Sequence, residues 1–126
     1  MGIQRLDHVN IRTGQLNEMM SWYGEVLGLY PGDRPDFSFG GAWLYAEKAV
    51  VIHLIDIGEE AAVGGEANLK LEHFSLAATD IESFESELEA SNTPYQRIVL
   101  ASIGEIQLHM RDPDGNHLHI DFSTSG

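Results

Sequence analysis

Leu6-Asp7-His8-Val9-Asn10-Ile11 and Leu71-Glu72-His73-Phe74-Ser75-Leu76 are one pattern written twice, 65 positions apart. Each copy runs apolar, acidic, histidine, apolar, small polar, apolar, the alternation of a strand with one face turned inward. The match continues downstream, with Leu16 over Ile81 and Met19 over Phe84. At an offset of 66, Ile52-His53-Leu54 falls on Leu118-His119-Ile120. Each half therefore carries one histidine on its first strand and one on its last, 45 residues apart in the first half and 46 in the second. Self-similarity at this spacing predicts two copies of one supersecondary unit.

The segments between these strands fill in the unit. From Gln15 to Leu27 the apolar residues Leu16, Met19, Met20, Tyr23, Val26 and Leu27 recur at helical spacing, and Gly28 follows where a left-handed cap is usual. A strand is predicted from Ile3 to Arg12, with Leu6, His8, Asn10 and Arg12 on one face. Gly41 to Ala46 and Val50 to Asp56 read as further strands. Gly58 to Lys70 is polar and small, a long loop. The second half predicts a strand from Leu71 to Ala78 and a helix from Ile81 to Ala90, capped by Thr79 or Asp80. Three more strands follow, at Tyr95 to Leu100, Glu105 to Arg111 and His117 to Phe122, with a turn at Asp112-Pro113-Asp114-Gly115-Asn116. The whole is expected to be a single α+β domain, residues 1–126, made of modules 1–66 and 67–126.

Composition bounds the function. The chain has 126 residues, 43% of them hydrophobic, the size of one domain with a core of its own. Twenty acidic residues against seven basic ones give a net charge of −13, which repels phosphate backbones and anionic lipids. Nucleic acid and membrane are thus not expected partners. No cysteine is present, which excludes a thiol nucleophile, a disulfide framework and thiolate metal sites. The N-terminal residues lack the apolar run of a signal peptide, so a cytoplasmic protein is expected.

A lone histidine on an apolar strand is most often a core residue with its ring nitrogens satisfied. Four at repeat-equivalent places, His8, His53, His73 and His119, point instead to a divalent metal, because neutral imidazole binds such ions at neutral pH without giving up a proton from a high pKa. Zinc, nickel, iron and manganese all suit these donors. His109 and His117 have no repeat mates, though His117 shares strand parity with His119.

These residues resemble the vicinal oxygen chelate superfamily, which includes glyoxalase I, extradiol dioxygenases and bleomycin-resistance proteins. Leu6-Asp7-His8-Val9 is similar to its first metal strand, and Trp22-Tyr23 through Val26-Leu27-Gly28-Leu29 to its helix end. Leu71-Glu72-His73-Phe74 is similar to the second ligand strand, and Asp112-Pro113-Asp114-Gly115-Asn116 to the hairpin before the last strand. The resemblance implies tandem βαβββ modules curled into a cup-shaped, partly open sheet around a metal, often in a homodimer. It implies a small oxygenated molecule as substrate and a glyoxalase I-like lyase or isomerase as the activity. An extradiol-type dioxygenase and a non-catalytic, ligand-sequestering protein are the alternatives. Relatives usually carry glutamate at the place of His119, and glyoxalase I relatives often carry it at His53. A catalytic base must then come from elsewhere, and Asp121, His117 and a metal-bound hydroxide are the candidates. Phe37, Phe39, Trp43 and Tyr45 are candidates for an apolar wall against the substrate, and Arg12 for a contact to its carboxylate.

Overall fold

The computed structural model describes residues 2, 4–58 and 71–124. The chain divides into two compact units, Met1–Ala67 and Asn68–Gly126. The first unit runs β1 (Val9–Thr13), α1 (Leu16–Leu27), β2 (Tyr30–Pro31), β3 (Gly41–Ala46) and β4 (Ala49–Asp56). The second runs β5 (His73–Ala77), α2 (Ile81–Ala90), β6 (Gln96–Leu100), a 3₁₀ turn (Ala101–Ile103), β7 (Glu105–Arg111) and β8 (His117–Ser123). Both are βαβββ modules, and each forms an open four-stranded sheet, in the order β1-β4-β3-β2 and β5-β8-β7-β6.

The repeat holds down to register. In the parallel β1–β4 pair Val9 lies opposite Ile52 and Asn10 opposite His53. In the parallel β5–β8 pair Phe74 lies opposite Leu118 and Ser75 opposite His119. Parallel neighbours need a long crossover, and the helix and the two intervening strands of each module supply it.

Period-two alternation sorts the side chains of each sheet. Ala42 and Leu44 of β3 and Ile52 and Leu54 of β4 are buried, as are Met19, Tyr23 and Val26 of α1. Trp43 and His53, directly opposed across β3 and β4, fall on the other parity. In the second unit Leu108, Met110, Leu118, Ile120 and Phe122 are buried, and Phe84 of α2 meets Phe122 edge to face at 5.6 Å. Gln107, His109, His117, His119 and Asp121 take the alternate positions. A fully buried aliphatic side chain stabilises by about 1.5–3 kcal/mol, so the apolar parity holds each sheet and leaves the polar parity for chemistry.

Local signals set the ends of the elements. Gly28 caps α1 at φ 73°, and its N–H bonds the carbonyl of Gly24. Asp80 caps α2, its carboxylate accepting from the N–H of Ser83. The Asp112 carboxylate accepts from the N–H groups of Asp114 and Asn116 and from the Asn116 side chain, which closes the predicted turn.

Some expectations need adjustment. The first strand begins at Val9 rather than near Ile3, which itself lies outside the described residues, and His8 immediately precedes it. The fifth begins at His73, leaving Leu71 exposed. The expected loop from Gly58 to Lys70 lies, beyond Gly58, outside the described residues. Strand β2 escaped the sequence reading because it is two residues long and ends in a proline, which only a sheet edge tolerates.

Candidate functional site

In the first unit the rings form a stack. His8 lies face to face on His53 at 3.8 Å between centroids, and His53 lies on Trp43 at 4.4 Å. Phe37 follows at 6.3 Å from Trp43, and Phe39 stacks on Phe37 at 5.1 Å. The Arg34 guanidinium sits over both phenyl rings, at 4.9 and 5.2 Å, and donates to the carbonyl of Phe39. Tyr45 takes another role, its hydroxyl donating to the Asp33 carbonyl at 2.6 Å and so tying β3 to the segment that carries Arg34. Arg12 is exposed on β1.

The electrostatics follow from this packing. Asp7 Oδ2 lies 2.8 Å from His8 Nδ1, and this hydrogen bond holds the Asp7 carboxyl below its usual range. Burial, with His8 alongside, pushes His53 below the usual histidine value. His53 is therefore neutral at neutral pH, the form that donates a lone pair.

In the second unit four imidazoles gather. His73 is 4.6 Å from His119 and 5.1 Å from His117, and His109 is 4.5 Å from His119, all between ring centroids. The ladder explains it: His73 is opposite His117 on β5 and β8, and His109 is opposite His119 on β7 and β8. His119 is 5% exposed, and its Nδ1 is hydrogen-bonded with the Asp121 carboxylate. Asp121, expected as a possible base, is thus engaged with His119 two residues away on the same strand face. His117 lies between His109 and Glu72. Hydrogen bonding from His117, and secondarily from His73, lowers the pKa of Glu72. Burial, followed by the charges of His119, His117 and His73, lowers that of His109.

Donor atoms of Glu72, His73 and His117 all lie within 4.8 Å of one another, a spacing a single cation can span. Each unit thus brings together its own pair of repeat histidines, His8 with His53 and His73 with His119. Sequence reasoning passed over Glu72, Gln107 and His109 as site residues. Glu72 had a signal, since it precedes His73 as Asp7 precedes His8. Gln107 and His109 had one too, since both are polar at alternate positions of an otherwise apolar strand.

Comparisons with known proteins agree with this architecture. An Arabidopsis thaliana protein named Glyoxylase I 4 is 32% identical over 120 residues, covering 91% of this chain and 68% of its own length. A putative glyoxalase family protein from Bacillus anthracis superposes with a TM-score of 0.75 at 24% identity, with 98% of both chains covered. A lactoylglutathione lyase from Agrobacterium tumefaciens superposes at 0.66 and 17% identity, with 91% of both covered, a likeness of fold. The profile of the Glyoxalase/Bleomycin resistance protein/Dioxygenase superfamily matches residues 5–120, and the chain belongs to that superfamily.

Proposed function

We propose that the protein is a metal-dependent enzyme of the vicinal oxygen chelate kind, a glyoxalase I-like lyase or isomerase for a small molecule with adjacent oxygens, working as a cytoplasmic homodimer. One observation carries the metal. At His8 and at His119 a carboxylate, Asp7 or Asp121, engages Nδ1, which leaves Nε2 as the donor. Metal-ligating histidines are almost always oriented in this way by a carboxylate or carbonyl on the other ring nitrogen. The donor chemistry fits zinc, nickel, iron or manganese, with His8, His53, His73 and His119 as the ligands proposed. When bound, such an ion supplies Lewis acidity to the substrate oxygens.

The remaining roles fall to the chain's own side chains. Asp121 fixes the ring of His119. Either Asp121 or His117 moves the proton, a role worth about 10²–10⁴ in rate for a positioned group. Trp43, Phe37 and Phe39 offer an apolar wall, Tyr45 braces it, and Arg12 meets a substrate carboxylate. Dimerisation is supported by Leu6 and Leu71, repeat-equivalent residues that are 71% and 73% exposed beside the edge strands β1 and β5.

The test is isomerisation of a 2-oxoaldehyde–thiol adduct with each of the four metals restored in turn, run beside aerobic cleavage of simple catechols. Isomerisation is expected, and catechol cleavage would move the assignment to a dioxygenase. Silence in both, with metal bound, would favour a ligand-sequestering protein, the reading that half-exposed Phe37, beside Trp43, and Phe39, stacked on Phe37, suit best.

A further inference from the structure

The polar face of the second unit contains a hydrogen-bond chain whose direction can be followed atom by atom. Gln107 Nε2 donates to the Glu105 carboxylate at 2.8 Å, which turns Gln107 Oε1 toward His109. His109 Nε2–H donates to that oxygen at 2.8 Å. The other nitrogen of a neutral His109, Nδ1, then carries a lone pair, and it accepts the Nε2–H of His117 at 2.9 Å. Nδ1 of His117 therefore faces the Glu72 carboxylate, with the two oxygens at 2.7 and 2.9 Å. That pair takes one positive charge between nitrogen and carboxylate, either a ring proton, as in the hydrogen bond above, or a bound cation. His73 Nδ1 lies 3.4 Å from both Glu72 oxygens.

We propose that Glu72, His73 and His117 form a divalent-cation site, with Glu72 as its carboxylate ligand and the Glu105–Gln107–His109 chain orienting His117 toward the ion. Two imidazoles and one carboxylate are the donor set of non-haem iron sites, and they also suit manganese and zinc. Donors bound to one ion at about 2.1 Å sit roughly 3.0–3.4 Å apart, so small side-chain shifts would seat the ion. Access is open, since the side chains of Glu72 and His73 are 66% and 40% exposed. Glu72 would supply the carboxylate that relatives place elsewhere. The proposal rests on the metal-binding reading above and changes its donors in the second module, keeping His73 and putting Glu72 and His117 in place of His119.

The experiment is calorimetric titration of chelator-treated protein with Zn²⁺ and with Mn²⁺, for the parent, Glu72→Gln, His117→Gln, Gln107→Met, His73→Gln and His119→Gln. Nitrogen-15 NMR of the His117 ring accompanies it. Glu72→Gln is a surface change that should leave the fold intact. Both ligand variants should lose more than about 100-fold in affinity, and Gln107→Met about 10–100-fold, the usual scale for an orienting group. In the parent, Zn²⁺ should shift Nδ1 of His117 and leave Nε2 protonated. If Glu72→Gln and His117→Gln keep the parent affinity while His73→Gln or His119→Gln abolishes it, this site is refuted and the metal reading stands. If the parent binds neither ion, this site is refuted. If Zn²⁺ binds and His117 Nδ1 stays protonated, the charge opposite Glu72 is a proton and this site is refuted.

Discussion

The imidazole of His8 lies flat on that of His53, with 3.8 Å between ring centroids and 12° between the planes. Two cationic rings would repel at that distance, so the stack holds only if one of them is neutral. Burial selects His53 as the neutral member, and its other face is covered by Trp43.

This arrangement makes a pH prediction for the metal-free protein. His53 should titrate below its ordinary value of 6.5 by NMR, and His8→Gln should restore only part of the shift, because burial is the larger cause. The sign for stability follows. Below pH 6.5 the unfolded chain takes up the proton more readily than the folded one. The contribution is therefore whole above that pH and lost as the pH falls toward the folded value. A His53 that titrates at or above the unfolded value would contradict the packing argument.

The Asp121–His119 pair predicts a separation of affinity from folding. Asp121→Asn keeps the shape of the side chain and removes the charge that sets the ring's tautomer. With His119 as a ligand, as in the proposed function, metal affinity should fall about 10–100-fold, with the circular dichroism spectrum unchanged; with Glu72, His73 and His117 as the donors it should hold. Undiminished affinity would contradict His119 as a ligand oriented by Asp121.

Repeat equivalence also predicts equal treatment of two core positions. Ile52 and Leu118 are both 0% exposed and occupy the same place in their sheets. Ile52→Ala and Leu118→Ala should each cost about 2–5 kcal/mol in urea unfolding. A cost under 1 kcal/mol at either position would show that its module is not packed as described.

Much of this architecture was legible because the same phrase occurs twice. Four histidines at equivalent offsets marked the first and last strands of each module, and period-two alternation placed them on one parity. Gly28 and the Asp112 turn declared themselves through local chemistry that neighbouring residues do not override, while the cap of α2 stayed open between Thr79 and Asp80. The partners of the histidines were harder to see. That Glu72 meets His117 depends on the parallel pairing of β5 with β8, and the ring contact of His109 with His119 depends on the register of β7. Neither follows from spacing along the chain. Trp43 on His53 is likewise a cross-strand relation, visible only once β3 and β4 are aligned.

Metal content decides whether these histidines hold an ion. The protein would be purified without chelators or added metal and examined by elemental analysis, with His73→Gln prepared in parallel. A bound transition metal is expected in stoichiometric amount in the parent, with a substantial loss of it in the variant. A parent that emerges metal-free and takes up none of zinc, nickel, iron or manganese when each is offered would contradict this.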